Sequence, residues 1–381
     1  MIADYEKTPR PRWAGAILLL AVLACVVLTN AYVSKADFLF GEITNLGQPV
    51  NSSYGDVTPS ISEDGLSLYF ASDRPGGFGS GDIWVSTRAT KDDDWGQPVN
   101  LGPVVNTSAN EACPSISSDG LSLFFSDVRF FESNPLRSGG YGNGDLWVTT
   151  RATKDDNWST AVNLGPYINT ASYDISPHIS PDGLSLFFSS DRAGGTGGLD
   201  LWVAKRVTKD DNWGTPVNLG QPVNSSDSED GPSISSDGLT FFFASSRNGY
   251  YNIWMTKRAN GSTLWEPPLI LQAPINSGGY EWAPEISSDG STLYFCASRS
   301  GGQGYYDIWQ VSILPIVDFN GDGNIDTDDL LILIDNWGQN EPLCDIGPTP
   351  YGDDIVDIKD LEVFMSYWEK ENMPVSPEEE P

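Results

Sequence analysis

The feature that most constrains this chain is one segment that recurs five times. It reads "PSISEDGLSLYFASDR" from Pro59, "PSISSDGLSLFFSDVR" from Pro114, "PHISPDGLSLFFSSDR" from Pro177, "PSISSDGLTFFFASSR" from Pro232 and "PEISSDGSTLYFCASR" from Pro284. Each copy leads into a second recurring stretch: "GDIWVSTR", "GDLWVTTR", "LDLWVAKR", "YNIWMTKR" and "YDIWQVSI". Trp-led stretches follow, such as "WGQPVNLGPVVN" from Trp95, "WSTAVNLGPYIN" from Trp158 and "WGTPVNLGQPVN" from Trp213. Each unit therefore supplies four short strands: a short one at "SIS", a Phe/Tyr-rich one, the "DIW" strand and the Trp-led strand. The Asp-Gly pairs (Asp64-Gly65, Asp119-Gly120, Asp182-Gly183, Asp237-Gly238, Asp289-Gly290) predict tight type I′ hairpins between the first two. The 39 Gly and 26 Pro suit many short strands joined by turns. Tandem four-stranded units of roughly 50 residues, apolar on both faces, predict a β-propeller.

The ends predict how the ring closes. "FGEITNLGQPVN" at 40–51 aligns with the Trp-led stretches, with Phe40 in the tryptophan's place, while the fifth copy, ending near Ile313, has no Trp-led strand after it. A closed five-bladed ring, in which 40–51 completes the last blade, removes both free edges. The pattern "P-x-x-S-x-D-G-x-x-L-x-F-x-S-x-R…D-I-W" resembles WD-repeat-like propellers of the TolB type over about residues 40–313. That resemblance implies a fold and leaves function open.

Three residues before each Pro sits an acid: Asp56, Glu111, Asp174, Glu229 and Glu281. An arginine ends each copy: Arg74, Arg129, Arg192, Arg247 and Arg299. Acid and arginine are expected on one face of the ring, at the channel mouth. Two readings stand: each pair locks adjacent strands by a charge-assisted hydrogen bond, or the five carboxylates form a cation or ligand site. Asp82, Asp145, Asp200 and Asp307, with Asn252, are expected as turn and strand-start residues. Blade two carries an insert, "FFESNPLRSGGYGNG" from Phe130. Tyr173, Tyr280 and Trp282, with Tyr250, Tyr251, Tyr305 and Tyr306, are expected on the same face, where they would stack sugar rings, grip a protein partner or pack between blades. "DSED" (Asp227–Asp230) is the one unrepeated acidic group expected there. The single histidine, His178, excludes a multi-His metal site; with Glu285 it replaces a repeated serine after the Pro. No Ser/His/Asp constellation can be assembled.

The formal charge is −31, from 21 basic and 52 acidic residues, so nucleic acid is a poor partner and divalent cations are better ones. Lys7, Arg10 and Arg12 precede the apolar run "AGAILLLAVLACVVL", which predicts a signal peptide or N-terminal membrane anchor over 1–36 and an extracytoplasmic destination, secreted or at the cell surface. Apart from Cys25, the cysteines Cys113, Cys296 and Cys344 are an odd, scattered set, so no disulfide framework is expected.

After the propeller (37–314), the composition turns acidic and helical. In "DFNGDGNIDTDDLLILIDNWG", Asp318, Asn320, Asp322, Asn324, Asp326 and Asp329 take positions 1, 3, 5, 7, 9 and 12 of a calcium loop, with Gly323 at the turn. No helix can precede it, because Pro315 and β-branched residues lie upstream. One helix follows. A second copy, "YGDDIVDIKDLEVFMSYWEKE", places Asp353, Asp357 and Asp360 at equivalent positions, with Asp345 available across a longer loop. Two loop-then-helix units resemble a type I dockerin over about 316–370, within a domain at 315–371; residues 372–381 read as a disordered tail. The resemblance implies a small all-α module binding Ca2+ and plugging into a cohesin-like module or another surface protein. The whole chain reads as a mainly β protein: a five-bladed propeller closed by an N-terminal strand plus this dockerin-like domain. Its function reads as non-catalytic protein or carbohydrate recognition on a surface or secreted assembly. The alternative is a dockerin-bearing, carboxylate-dependent glycoside hydrolase or lyase.

Overall fold

Alternation in the Phe/Tyr-rich strands decides how the units stack. In blade one, Leu68 and Phe70 are buried with Tyr294 and Ile308 of blade five, whereas Tyr69 between them is buried with Leu123 and Phe125 of blade two. A strand buried this way on both faces needs a sheet on each side, and five sheets around an axis provide it.

The computed structural model describes residues 38–128, 135–259, 262–320, 324–339, 341, 343–347 and 355–372. Among them, β1 (Phe38–Asn45) comes first. Blade one holds β2 (Asp56–Ile61), β3 (Ser67–Ser72), β4 (Asp82–Thr87) and β5 (Val99–Asn100); blade two holds β6 (Glu111–Ile116), β7 (Ser122–Val128), β8 (Gly144–Thr150) and β9 (Val162–Asn163). Blade three holds β10 (Asp174–Ile179), β11 (Ser185–Ser190), β12 (Asp200–Lys205) and β13 (Val217–Asn218); blade four holds β14 (Glu229–Ile234), β15 (Thr240–Ser245), β16 (Asn252–Lys257) and β17 (Leu269–Ile270). Blade five holds β18 (Glu281–Ile286), β19 (Thr292–Ala297) and β20 (Asp307–Pro315), and β1 is its fourth strand. The described residues thus form a five-bladed propeller of antiparallel four-stranded sheets.

The closing strand runs over 38–45 rather than 40–51, pairing from Phe38↔Pro315 to Asn45↔Trp309. Phe40 packs against the buried cluster of Phe242, Ile286 and Trp309, the seam between blades four and five. In the other blades the Trp-led stretch pairs through two residues only, such as Val85↔Val99 and Trp84↔Asn100.

Two local features differ from the sequence expectation. The Asp-Gly hairpins are not type I′: only the glycine has positive φ (Gly65 71°, Gly120 71°), and Gly65 N–H bonds Ser62 C=O at 2.8 Å. That is a type I turn ended by a left-handed glycine, fastened by Asp64 Oδ1, which accepts the Leu66 N–H at 3.0 Å. The inner strands are six residues long and bulged, since the register slips between Val57 and Ser60 and at equivalent places in every blade. The bulge residue is left-handed even where it is not glycine: Thr58 (φ 52°), Cys113 (53°), Ser176 (52°) and Ala283 (49°). Each such residue costs about 1–2 kcal/mol, offset by the bend that wraps the strand around the axis.

Beyond β20, helices α1 (Thr327–Asp335) and α2 (Ile358–Asn372) share a separate core of Val317, Phe319, Leu333, Ile346, Val356 and Phe364, with Phe319 stacked on Phe364 at 5.9 Å. As expected, β-structure and not a helix leads into the first acidic loop. Cys113, Cys296 and Cys344 are free thiols. The N-terminal apolar run, Asp322, Gly323, Asp353 and the tail after Asn372 lie outside the described residues, among which no helix is long and apolar enough to cross a membrane.

Replacing Phe40 with Ala should cost about 2 kcal/mol in urea unfolding, since the ring is partly buried in the closing seam. Deleting 38–45 should go further, leaving the long β20 edge unpaired and the protein prone to self-association in sedimentation runs. An unchanged midpoint for both variants would mean that the ring does not depend on this strand.

Candidate functional site

The repeated acids head the inner strands, and their side chains turn into the blades. Asp56, Glu111, Asp174, Glu229 and Glu281 are all fully buried. Arg74 lies 2.5 Å from Asp56, Arg137 3.3 Å from Glu111, and Arg247 and Arg299 each 3.1 Å from Glu229 and Glu281; Arg192 closes on Asp174. Backbone N–H and hydroxyl groups also donate to these carboxylates, such as Ser52 N–H at 2.6 Å and Ser72 Oγ at 2.6 Å on Asp56. Each arginine also donates to a linker carbonyl, Val105 at 2.5 Å or Ile168 at 2.5 Å, and lies over a Phe and a Trp, for Arg192 Phe188 at 4.8 Å and Trp202 at 5.3 Å. The ligand-site reading of these five acids is therefore corrected. They are desolvated and committed to arginines, which leaves them no face toward the channel.

Among the described residues the partner of Glu111 in blade two is Arg137; Arg129 lies outside them. The seven-residue β7 ends at Val128, and the pairing arginine lies within the insert. A sequence signal for this exists: "RSGGYGNGDLW" from Arg137 matches "RPGGFGSGDIW" from Arg74 residue for residue in its glycines. Asp127, where blades one, three and four have serine, accepts Trp147 Nε1–H at 2.9 Å and Arg137 N–H at 3.0 Å.

Blade five lacks the serine altogether. In blade four, Ser245 Oγ donates to Glu229 at 2.7 Å and accepts Arg247 Nε–H at 2.9 Å. Ala297 occupies that place opposite Glu281, and both Glu281 Oε2 and Arg299 Nε are left buried without a hydrogen-bond partner among the described residues.

Further along the axis, a belt of side chains joins the blades. Ser60 Oγ accepts Ile116 N–H (3.1 Å), Ser115 Oγ accepts Ile179 N–H (3.0 Å), His178 Nε2 accepts Ile234 N–H (3.2 Å), Ser233 Oγ accepts Ile286 N–H (3.1 Å) and Glu285 Oε1 accepts Ile61 N–H (3.3 Å). Because Nε2 of His178 is an acceptor, Nδ1 carries the proton and faces Glu285 Oε2 at 3.4 Å. Ser233 donates to the same carboxylate at 3.2 Å and not to the imidazole, so Ser233 and His178 do not form a nucleophile–imidazole pair. The ring of prolines lines a cavity of about 30 Å³, enough for a water-sized molecule.

The turn aspartates behave as expected: Asp82 Oδ2 accepts Phe78 N–H at 2.8 Å, and Asp145 Oδ2 accepts Tyr141 N–H at 2.7 Å. Burial pushes the Asp145 carboxyl up to about 6, against the pull of those N–H groups.

Of the expected aromatic residues, Tyr173 packs partly buried beside Ala112, Val128 and Ile175, in the seam between blades two and three. The others gather on blades four and five. Tyr250 meets Tyr280 edge-on at 5.7 Å, Tyr306 meets Trp282 at 6.1 Å and Tyr305 at 4.7 Å. Tyr280 thus pairs with Tyr250, and Trp282 with Tyr306.

The two helix starts in the C-terminal region are copies of each other. Asp326 caps α1 by accepting Asp328 N–H (2.8 Å), while Asp329 accepts Asp326 N–H (3.0 Å) and Asn320 N–H (3.1 Å). Asp357 likewise accepts Lys359 N–H (2.8 Å), and Asp360 accepts the N–H groups of Asp357 (2.6 Å), Ile346 (2.6 Å) and Gly347 (2.7 Å). This correspondence aligns Gly347 with Asn320, and so Asp345 with Asp318. Among the described residues no three His, Cys, Asp or Glu side chains converge as metal donors, with Asp322 and Asp353 outside that set.

No protein-family model and no curated protein matches the chain. Among solved structures it is similar to TolB from Acinetobacter baumannii, at 13% identity and TM-score 0.43 over 76% of this chain and 68% of that one. It is similar also to an α-L-arabinofuranosidase from Lactobacillus brevis, at 14% identity and TM-score 0.47 over 70% of this chain and 92% of that one. A GH62 hydrolase solved with xylotriose aligns at 10% identity and TM-score 0.44, over 74% and 99%. Nothing about activity follows from likeness at this level.

Ala297→Ser should stabilise the protein by about 1 kcal/mol, because one hydroxyl satisfies both orphaned groups as Ser245 does in blade four. A urea midpoint that does not rise would sink this account of the pin. Asp145→Asn tests the raised carboxyl. A carboxyl that holds its proton more tightly when folded stabilises the fold at low pH, and this contribution is lost as pH rises from about 4 through about 6. The asparagine variant keeps the acceptor oxygen, so its melting temperature should gain on the parent's across that window and hold the lead above it.

Proposed function

We propose that this is an exported, non-catalytic recognition protein whose propeller presents a ligand-binding face and whose C-terminal region attaches it to a surface or secreted assembly. The observation that carries the reading is the aromatic cluster of blades four and five: Tyr250 is 58%, Tyr280 46% and Tyr305 74% exposed, on the face where the repeated acids are committed to arginines. Exposed rings in this number stack sugars or anchor a polypeptide, and the pinned carboxylates leave little for hydrolysis.

For the C-terminal region the reading is a dockerin-like, calcium-dependent module. Asp318, Asn320, Asp322, Asn324, Asp326 and Asp329 would hold one Ca2+, and Asp345, Asp353, Asp357 and Asp360 a second; an all-oxygen donor set suits that hard cation. The full burial of Asp329 and Asp360 beneath the loops supports it. Bound calcium would cross-link each loop to its helix. A stripe of Leu331 (56% exposed), Ile334 (49%) and Trp337 (46%) along and just past α1 would face the partner, a cohesin-like module or another surface protein.

Calorimetry with and without a chelator tests the attachment reading. Asp318→Ala with Asp322→Ala should remove a calcium-dependent transition and leave the propeller transition in place. Equal losses in both would refute the independence of the two regions. Turnover of any polysaccharide by the intact protein, abolished by changing one acid on the propeller face, would replace recognition with the hydrolase or lyase alternative.

A further inference from the structure

On the face opposite the pinned acids, the repeat is broken at the seam where blade five meets blade one. Midway along the outer two strands, blades one to three pair valine with valine: Val85↔Val99, Val148↔Val162 and Val203↔Val217. Blade four pairs Met255 with Leu269, whereas blade five pairs Gln310 with Thr44. Just after the hairpin glycine, the Leu66, Leu121, Leu184 and Leu239 of the other blades give way to Ser291. Glu42, two residues before Thr44, has no counterpart in the two-residue outer strands β5, β9, β13 and β17. Blade five thus turns polar at positions that are apolar in the other four.

These side chains line one cavity of about 400 Å³, a size that suits a small-molecule site. Glu42, Thr44, Ser291, Gln310 and Ser312 line it from blade five, and Arg88 and Lys91 from blade one. The matching cavity between blades two and three, about 330 Å³, keeps the equivalent Arg206, Lys209 and Asp119 but is otherwise lined by groups such as Phe124, Val148, Leu164 and Trp213. The charges that both cavities share are already committed. Lys91 Nζ lies 2.5 Å from Asp289, and Arg88 donates to the carbonyls of Gly65 (2.9 Å) and Lys91 (2.8 Å). Ser291 Oγ donates to Asp289 at 2.7 Å. Among the described residues, no hydrogen bond holds the side chains of Glu42, Thr44, Gln310 or Ser312. One amide and two hydroxyls that both donate and accept, beside a carboxylate that accepts, match a ligand whose own groups do both. Two acids and two bases balance in the lining, so a bare anion would meet Glu42 and Asp289, and a bare cation Arg88 and Lys91.

We propose that this slot at the closing seam binds a neutral polyhydroxylated ligand, a sugar residue, through Glu42, Thr44, Gln310 and Ser312. The slot lies on the other face from the aromatic residues of blades four and five. It is therefore a second site, and either reading can fail without the other.

The test is saturation-transfer NMR on the full chain with glucose, galactose, xylose, arabinose and cellohexaose, and with lysine and inorganic phosphate as charged competitors. At least one sugar should bind in the millimolar range, and neither competitor should displace it. Binding of a single ring would point to a free sugar, and binding of cellohexaose alone to the end of a glycan chain. Thr44→Val with Gln310→Val rebuilds the valine pair of blades one to three, so this variant should melt as the parent does and bind the sugar about tenfold more weakly. Glu42→Ala, at an exposed position, should weaken it as well. Sugar binding that neither variant changes overturns the proposal, as does displacement by lysine or phosphate, or the failure of every sugar to bind. Binding lost in Tyr305→Ala and kept in the valine variant would move the sugar to the aromatic face, overturning the slot and leaving the recognition reading in place.

Discussion

A buried arginine–carboxylate pair at the head of every blade is the interaction on which the ring depends. Burying two charges is unfavourable unless each finds several partners, and here each does. The carboxylate receives backbone N–H and hydroxyl donors, as Asp174 does from Thr170 N–H (2.6 Å) and Ser190 Oγ (2.6 Å). The guanidinium spreads over a Phe and a Trp of its own blade and reaches the carbonyl of a linker residue upstream, Val50 for Arg74, Val105 for Arg137 and Ile275 for Arg299. Those carbonyls lie in the linkers that leave the preceding blade's last strand. One side chain thus fastens the inner strand, the aromatic layer and the junction with the neighbouring blade.

Because the repeated residues serve the repeat, function has to come from where the repeat is broken. The opposite face makes the same point. Lys154 and Lys209 reach Asp64 (3.0 Å) and Asp119 (2.9 Å) in the preceding blades, and Lys91 reaches Asp289 (2.5 Å), all about half exposed and so worth little individually. Blade four has "RANGSTLW" where blades one to three have the "TKDD" lysine, and among the described residues the run of contacts stops there. On the acid-bearing face, those same last two blades gain their tyrosines, Trp282 and Asp230.

The fold was legible because a two-residue period and a tandem repeat are both written directly in residue types. Leu68, Tyr69 and Phe70 announce a strand buried on both sides, and Phe40 in a tryptophan's place announces the closing strand. What could not be read depended on the path of the backbone. Counting from Pro114 gives Arg129 as the partner of Glu111, yet an insert resets the count and Arg137 arrives instead. Asp-Gly is compatible with two hairpin geometries, and only the φ of the residue before glycine separates them. The five acids looked equally apt for a ligand or for an arginine, since burial, which decides between these, is a property of the assembled ring. Ala297 stands in the sequence as an ordinary small residue. Its consequence appears only when Glu281 and Arg299 face each other across it.

Irregularities accumulate in blade five, and the ladder of that blade explains why it can carry them. Its outer strand, β1, pairs with β20 along the whole of Phe38–Asn45, apart from one bulge, whereas β5, β9, β13 and β17 contribute two residues each. A fourth strand of this length fixes the blade independently of its pin, so the loss of a serine at Ala297 is tolerable there. Glu285 adds a second compensation. It replaces the belt serine at the seam where the ring closes, and its longer side chain bonds Ile61 N–H and Ser60 Oγ of blade one (3.3 and 3.2 Å) and meets His178 of blade three across the axis. The blade that joins the two ends of the propeller is therefore held from its outer edge and from the axis at once. That double support leaves the residues at its face, Tyr280, Trp282, Tyr305 and Tyr306, free of any duty to the repeat.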